Sequence, residues 1–235
     1  MRLAFPINSP TPATITAVTA DKSAPQLPGN TVTFTASATG GNPPYQFKWW
    51  VYDGTTWTIA QDWSASSTFA WTPTVANAAN HLSTWVRSSG NVNDLFESYQ
   101  LVMFPIIDLR GVYTVSASIT QSACSFPADN GALDATGNLS ISNQAGGSFS
   151  GTATLNSMAG GIPVQQAIVV SGTVNVQSQL SGSFTFTTTA NGSFVSSGDG
   201  TFGGAISGNR ITVPINGQVR VGETCQLTGT LMGTR

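Results

Sequence analysis

Short runs of alternating apolar and polar residues, separated by Gly, Pro and Asn, recur about every ten residues along the chain. Alternation with a period of two is typical of strands that bury one face, whereas helices repeat every three to four residues. No stretch keeps helical spacing of apolar residues over about three turns. The pattern therefore predicts an all-β protein of short strands, as in sandwiches and barrels.

The low content of charged residues limits the classes of partner that such a protein can bind. Charged residues make up 8% of the 235 residues, and the formal net charge is −2. Because no run of Lys or Arg exists, we expect no nucleic-acid partner. No apolar run reaches the ~18 residues of a transmembrane helix, so no membrane insertion is expected. A surface solvated by Ser, Thr, Asn, Gln and Gly fits a bacterial protein that is extracellular or at the cell surface.

Two cysteines, Cys124 and Cys225, lie far apart in the sequence. In a charge-poor β-protein this indicates one disulfide formed in an oxidising compartment. Closing a loop of ~100 residues stabilises a fold by roughly 4–5 kcal/mol in the chain-entropy model. Two free buried thiols are the alternative.

Composition changes near Pro105, because all six Trp, both Lys and the only His precede it, whereas Gly, Ser and Thr dominate after it. We therefore predict a β-domain over residues 12–105 and a second over residues 109–235. Residues 1–11 are a linker or, since they resemble the end of the first domain, a remnant of a preceding repeat.

Several segments of the first domain carry a resemblance. They are Ala17–Lys22 (AVTADK), the turn Pro28-Gly29-Asn30, Thr31–Ala36 (TVTFTA) and Pro44–Trp50 (PYQFKWW). Over residues 12–104 the chain resembles the immunoglobulin-like and PKD-like modules of bacterial secreted and surface proteins. The resemblance implies a β-sandwich that acts as a spacer or adhesive unit.

Alternation in this domain also predicts an aromatic surface. The face of the third strand that carries Lys48 should be exposed, so Trp49 on the opposite face is the predicted core tryptophan. In an immunoglobulin-like sandwich the third and sixth strands are neighbours, which groups their outward residues. The predicted ligand-binding residues are Trp50, Tyr52, Trp57, Trp85 and Arg87. A glycan, a protein partner or a covering domain would each suit such a surface.

The second domain repeatedly places Gly among the apolar residues of one strand face. The sets are Phe149-Gly151-Ala153-Leu155, Val170-Gly172-Val174-Val176, Leu180-Gly182-Phe184-Phe186, Phe202-Gly204-Ile206 and Leu227-Gly229-Leu231. Inward Gly weakens a flat strand but suits one that bends sharply. We therefore predict a closed antiparallel barrel of about eight strands. Its first and last strands would be neighbours, which brings Cys124 and Cys225 together.

These consecutive hairpins with short Gly-Thr steps are similar to the calycin-type barrels, the lipocalins and avidins. The likeness concerns architecture and implies no function by itself. Barrels of this size are either filled by side chains or hold one small ligand.

Catalysis and metal binding find little support in the sequence. His81 is the only histidine, and no Gly-x-Ser-x-Gly nucleophile elbow exists. A glycosidase would need two converging carboxylates, and the candidates are Asp108, Asp129, Asp134, Asp199 and Glu223. The polar loop at residues 91–97 is an alternative calcium site. We predict no enzyme, no cofactor and no metal.

Our leading hypothesis is therefore a non-catalytic extracellular or cell-surface module for structure, adhesion or assembly, acting with a protein partner or by self-assembly. One alternative is a carbohydrate-binding module, which requires an exposed and roughly coplanar Trp50/Trp85 pair. The other is a small apolar ligand inside the barrel, which a filled interior would reject.

Overall fold

The computed structural model describes residues 11–220 and 222–235, and the regular structure in them is almost entirely β-strand. The all-β prediction is thus confirmed. The chain divides between Ile106 and Ile107 into two compact units. The proposed linker or repeat remnant at residues 1–11 lies, apart from Thr11, outside the described residues. Across the described ranges, no helix has the length and apolar character needed to cross a membrane.

The first unit is a β-sandwich of two antiparallel sheets. Its strands are β1 (Thr14–Ala20), β2 (Val32–Thr39), β3 (Gln46–Tyr52), β4 (Trp57–Ser64), β5 (Thr68–Trp71), β6 (His81–Arg87) and β7 (Ser98–Met103). One sheet has the order β1-β2-β5 and the other β4-β3-β6-β7. Both contribute to a single apolar core. Strands β3 and β6 are neighbours, as predicted.

Trp49 lies in the centre of this core and has no exposed surface. Its ring stacks on Phe69 of the opposite sheet, with centroids 5.6 Å apart, and approaches Phe34 at 6.3 Å. Side chains alternate along a strand, so the burial of Trp49 directs its neighbours Lys48 and Trp50 to the outer face. The predicted phase of β3 is therefore correct.

The second unit is a closed barrel, which confirms the prediction. Its strands are β8 (Gly111–Ser122), β9 (Gly131–Ala145), β10 (Ser148–Ala159), β11 (Ile162–Val174), β12 (Gln179–Ala190), β13 (Ser193–Ser207), β14 (Arg210–Arg220) and β15 (Thr224–Thr234). Each strand pairs antiparallel with the next, and β15 pairs with β8 to close the wall. A short 3₁₀ helix, Pro127–Asp129, lies between β8 and β9.

The predicted disulfide is present at the seam of the barrel. Cys124 follows β8 and Cys225 lies in β15, and their Cα atoms are 4.6 Å apart. Because β8 and β15 are hydrogen-bonded neighbours, the bond joins two segments that the fold already holds together. It closes a sequence separation of 101 residues.

Inward glycines allow the strands to approach closely. Phe149, Gly172, Gly182 and Phe202 form a row in direct register across β10 to β13. A Cβ atom at Gly182 would collide with the carbonyl oxygen of Ser171 and with the Phe202 ring. The two Phe rings, with centroids 6.3 Å apart, extend over the two glycines instead. The curved wall has no room for side chains at the two glycine positions, and aromatic rings from the flanking strands occupy that space instead.

This packing yields a stability prediction. Gly182→Ala should lower the free energy of unfolding by roughly 1–3 kcal/mol, since backbone and ring must both shift. The matched control is Gly131→Ala at the start of β9, where an added Cβ meets no atom. Urea unfolding followed by far-UV circular dichroism measures both. Equal stability of the two variants would contradict this role of Gly182.

Candidate functional site

An apolar cavity of about 300 Å³ lies inside the barrel. Inward side chains from all eight strands line it, chiefly Ala, Val, Leu, Ile and Phe. An apolar cavity of about 150 Å³ is already large enough to stay dry and bind benzene. The interior is therefore not filled, and it has room for a small apolar molecule.

One end of the cavity is closed by the segment that leads into β8. Ile107 and Leu109 are buried in the barrel core. The Leu109 N–H donates to Oε1 of Gln144 at 2.7 Å, and Gln144 Nε2 donates to the Ile107 carbonyl at 2.9 Å. The buried Tyr113 hydroxyl donates to the Leu109 carbonyl at 2.9 Å. These hydrogen bonds fasten the segment across that end.

The opposite end is the mouth of the barrel, formed by the connections at residues 122–131, 159–162 and 190–193. Lining residues reach solvent here, including Ala159 and Val195. Large apolar side chains are exposed on the same connections or beside them, namely Phe126, Met158, Ile162, Phe194 and Val195. The disulfide lies at this end as well, so the access route is beside the covalently fastened seam.

The aromatic residues predicted in the first unit share the outer face of the four-stranded sheet. The ring centroids of Trp50 and Trp85 are 5.0 Å apart, as are those of Tyr52 and Trp57. Trp57 is exposed, whereas the other three are partly buried. The planes of Trp50 and Trp85 meet at 45°, so this pair is not the coplanar platform that the carbohydrate hypothesis requires.

Lys48 lies on the outer face, as predicted, but neighbouring side chains cover it and leave it only 1% exposed. Its amine is covered by the rings of Trp50 and Trp63, at 5.0 and 5.8 Å from their centroids. It also pairs with Asp94 at 2.9 Å and Asp62 at 3.2 Å. Burial opposes the charged amine, but the two carboxylates outweigh burial, and the pKa of Lys48 is raised.

Arg87 is likewise covered and is 8% exposed. Its Nε donates to Oε1 of Gln46 at 2.8 Å, and its Nη1 donates to the Asn93 carbonyl at 2.6 Å. The ring of Trp63 lies over the guanidinium, with its centroid 4.2 Å from Cζ. Arg87 thus stabilises the sheet and its loop, and Trp63 is the residue that sequence reasoning missed. No local pattern pointed to Trp63, because its contacts come from strands distant in sequence.

Four of the five acids considered for catalysis bind neighbouring groups of the chain, and Asp129 lies beside the fourth, Glu223, at the mouth. Asp108 pairs with Arg110, Asp134 accepts a hydrogen bond from Ser118, and Asp199 pairs with Arg220. Glu223 accepts hydrogen bonds from the backbone N–H groups of Phe126 and Ser125, which lower its pKa and hold the loop beside the disulfide. It also lies near both cysteine sulfurs, but the disulfide leaves no thiolate for a metal.

The two carboxylates of the loop at residues 91–97 bind different parts of the sandwich. Asp94 pairs with Lys48, whereas Glu97 accepts hydrogen bonds from the backbone N–H groups of Ala13 and Ser88. The carboxylates therefore tie the loop to the sandwich, each through separate contacts. This arrangement does not favour a shared calcium site.

Comparison with known proteins found no matching family model, no matching curated protein and no matching solved structure. The eight-stranded barrel and the sandwich are therefore established by the chain's own strand pairing.

The Lys48 cluster makes a prediction about pH. Lys48 and the indole N–H of Trp63 lower the pKa of Asp94, so its contribution to stability is present above pH 3.8 and is lost as the pH falls further. Asp94→Asn should therefore lower stability at pH 7, and the difference from the wild-type protein should shrink below pH 3.8. Urea unfolding followed by tryptophan emission measures this in the first unit, which holds every Trp.

The matched control is Asp94→Asn in a Lys48→Met background. Its effect should be smaller there, since the buried cation is gone. An equal loss of stability in both backgrounds would show that the pair is not coupled.

Proposed function

We propose that this chain is a non-catalytic binding protein whose barrel holds a small apolar ligand. The observation that carries the proposal is the apolar cavity of about 300 Å³, closed at one end and accessible at the other. Atoms that line an empty cavity lose contacts on one side, which costs stability. A ligand that binds the native state restores those contacts and stabilises the fold.

We place this activity outside the cell or at its surface. The disulfide supports an oxidising compartment. The low charge content is in keeping with it. A closed up-and-down barrel of eight strands supports the likeness to lipocalins and avidins, and the sandwich supports the likeness to immunoglobulin-like modules. The first unit would then act as the spacer or adhesive part of the chain.

The proposal predicts saturable binding of an uncharged apolar fluorophore, N-phenyl-1-naphthylamine, whose emission rises in apolar surroundings. Ile168→Trp should weaken binding about tenfold or more, because the larger ring fills the cavity that Ile168 lines. Val169→Trp is the matched control, since its side chain is the next along β11 and is exposed. Fluorescence titration of the full chain measures all three proteins, with circular dichroism as the check on folding.

Two results would overturn the proposal. One is a wild-type chain that does not bind the fluorophore saturably. The other is equal affinity of the Ile168→Trp and Val169→Trp variants for the fluorophore. The second result would place the fluorophore on an outer surface instead of inside the barrel.

The outer face of the four-stranded sheet supports a second function, which is assembly with another copy of the chain. Five apolar side chains on this face are 42–53% exposed, namely Trp57, Ile59, Tyr99, Leu101 and Met103. Two of them lie on β4 and three on β7, the edge strands of the sheet, and exposed apolar surface of this kind commonly marks an interface between proteins. A sugar is less favoured as the occupant, because Trp50 and Trp85 are tilted relative to each other.

Assembly predicts that the sedimentation mass of the chain rises with protein concentration. Leu101→Lys, within the edge strand β7, should keep the chain monomeric, because it places a charge in the interface. Val75→Lys is the control, since Val75 is exposed outside the strands. A wild-type chain that remains monomeric at all concentrations would exclude self-assembly.

A further inference from the structure

Three polar side chains on neighbouring strands form a row inside the mainly apolar barrel. Gln166 on β11 lies opposite Thr188 on β12, and Thr188 lies opposite Ser196 on β13. They are 6%, 8% and 5% exposed, and all three line the cavity. Burying a polar group costs free energy unless it forms hydrogen bonds. Three such groups on neighbouring strands are therefore not explained by packing of the wall.

Gln166 keeps hydrogen-bonding capacity that the fold does not use. Its Nε2 donates to Oγ of Ser157 at 3.2 Å. Its Oε1 is buried and has no hydrogen-bond partner in the described part of the chain. If the amide is turned around, the Ser157 hydroxyl pairs with the oxygen and leaves the NH₂ group unpaired instead. In both orientations an unpaired polar group belongs to a side chain that lines the cavity.

The cavity lining also limits the charge of what can pair with Gln166. Among the described lining residues there is no Lys, Arg or His, and the one acid, Asp129, lies at the mouth. An anionic headgroup would find no cation there, and it would have to pass a carboxylate on entering. The partner of Gln166 should therefore be neutral.

We propose that the ligand is an apolar molecule that carries a single neutral hydroxyl group, bound at Gln166. This rests on the proposed function of the barrel. A hydroxyl both donates and accepts, so it satisfies either orientation of the amide. Thr188 and Ser196 continue the polar row beside Gln166 and offer hydroxyls of their own. Since this row lies in the half of the barrel near the mouth, the hydrocarbon part of the ligand extends toward Leu109.

The test uses displacement of bound N-phenyl-1-naphthylamine by 1-octanol and by 1-chlorooctane, in which chlorine replaces the hydroxyl. Gln166→Leu should raise the inhibition constant of 1-octanol about tenfold and leave that of 1-chlorooctane unchanged or lower. Gln165→Leu, one residue earlier on β11 and exposed, is the matched control and should change neither constant. The affinity of each variant for the fluorophore is titrated directly and is used to calculate the inhibition constants of the two displacing molecules.

Folding of the variants is checked independently. Because Leu replaces a side chain with an unpaired buried atom, we expect Gln166→Leu to melt at the same temperature as the wild-type protein or higher. A lower melting temperature would show that Gln166 is a structural residue and would overturn the proposal.

The remaining outcomes separate the two proposals. If the fluorophore binds but Gln166→Leu shifts both displacing molecules equally, the hydroxyl site is refuted and binding inside the barrel stands. Tighter binding of octanoate than of 1-octanol would also refute a neutral headgroup. A wild-type chain that does not bind the fluorophore would instead overturn the proposed function of the barrel.

Discussion

Close approach of neighbouring strands at inward glycines is the constraint on which the barrel depends. At Gly172 and Gly182 the adjacent backbone occupies the space that a Cβ atom would need, and Phe rings from the flanking strands cover the gap. A wall curved in this way closes on itself when β15 pairs with β8. The cavity of about 300 Å³ lies inside this closed wall and is lined chiefly by Ala, Val, Leu, Ile and Phe side chains from all eight strands.

The two ends of the cavity differ in how completely their polar groups are hydrogen-bonded. At the closed end Leu109, Gln144 and Tyr113 satisfy one another's hydrogen-bonding groups, so this end requires nothing from a ligand. In the half near the mouth Gln166 does not reach the same balance. A molecule with a long apolar part and one small polar group matches that division. In our proposal, the unpaired polar group of Gln166 selects the ligand more than the shape of the barrel does.

The sandwich shows how burial can place charged groups beneath an outer aromatic surface. Trp49 fills the core and so directs Lys48 outward, where Trp50 and Trp63 cover it. The amine remains charged because Asp94 and a second carboxylate face it. Residues expected to meet a ligand therefore contact one another, and the exposed part of the face is mainly apolar. A mainly apolar exposed surface favours a protein partner over a sugar.

The sequence alone determined the all-β class, the phase of β3 around Trp49, the closed barrel and the pairing of Cys124 with Cys225. All four depend on alternation or on spacing along the chain, which are local or topological properties. Only the tertiary structure decided that Lys48 is buried, and that the barrel is hollow. Those outcomes depend on which distant strands meet side by side and on the volume left between them. Gln166 is one polar residue among many in the sequence, and it becomes a candidate site only when the closed wall excludes water from it.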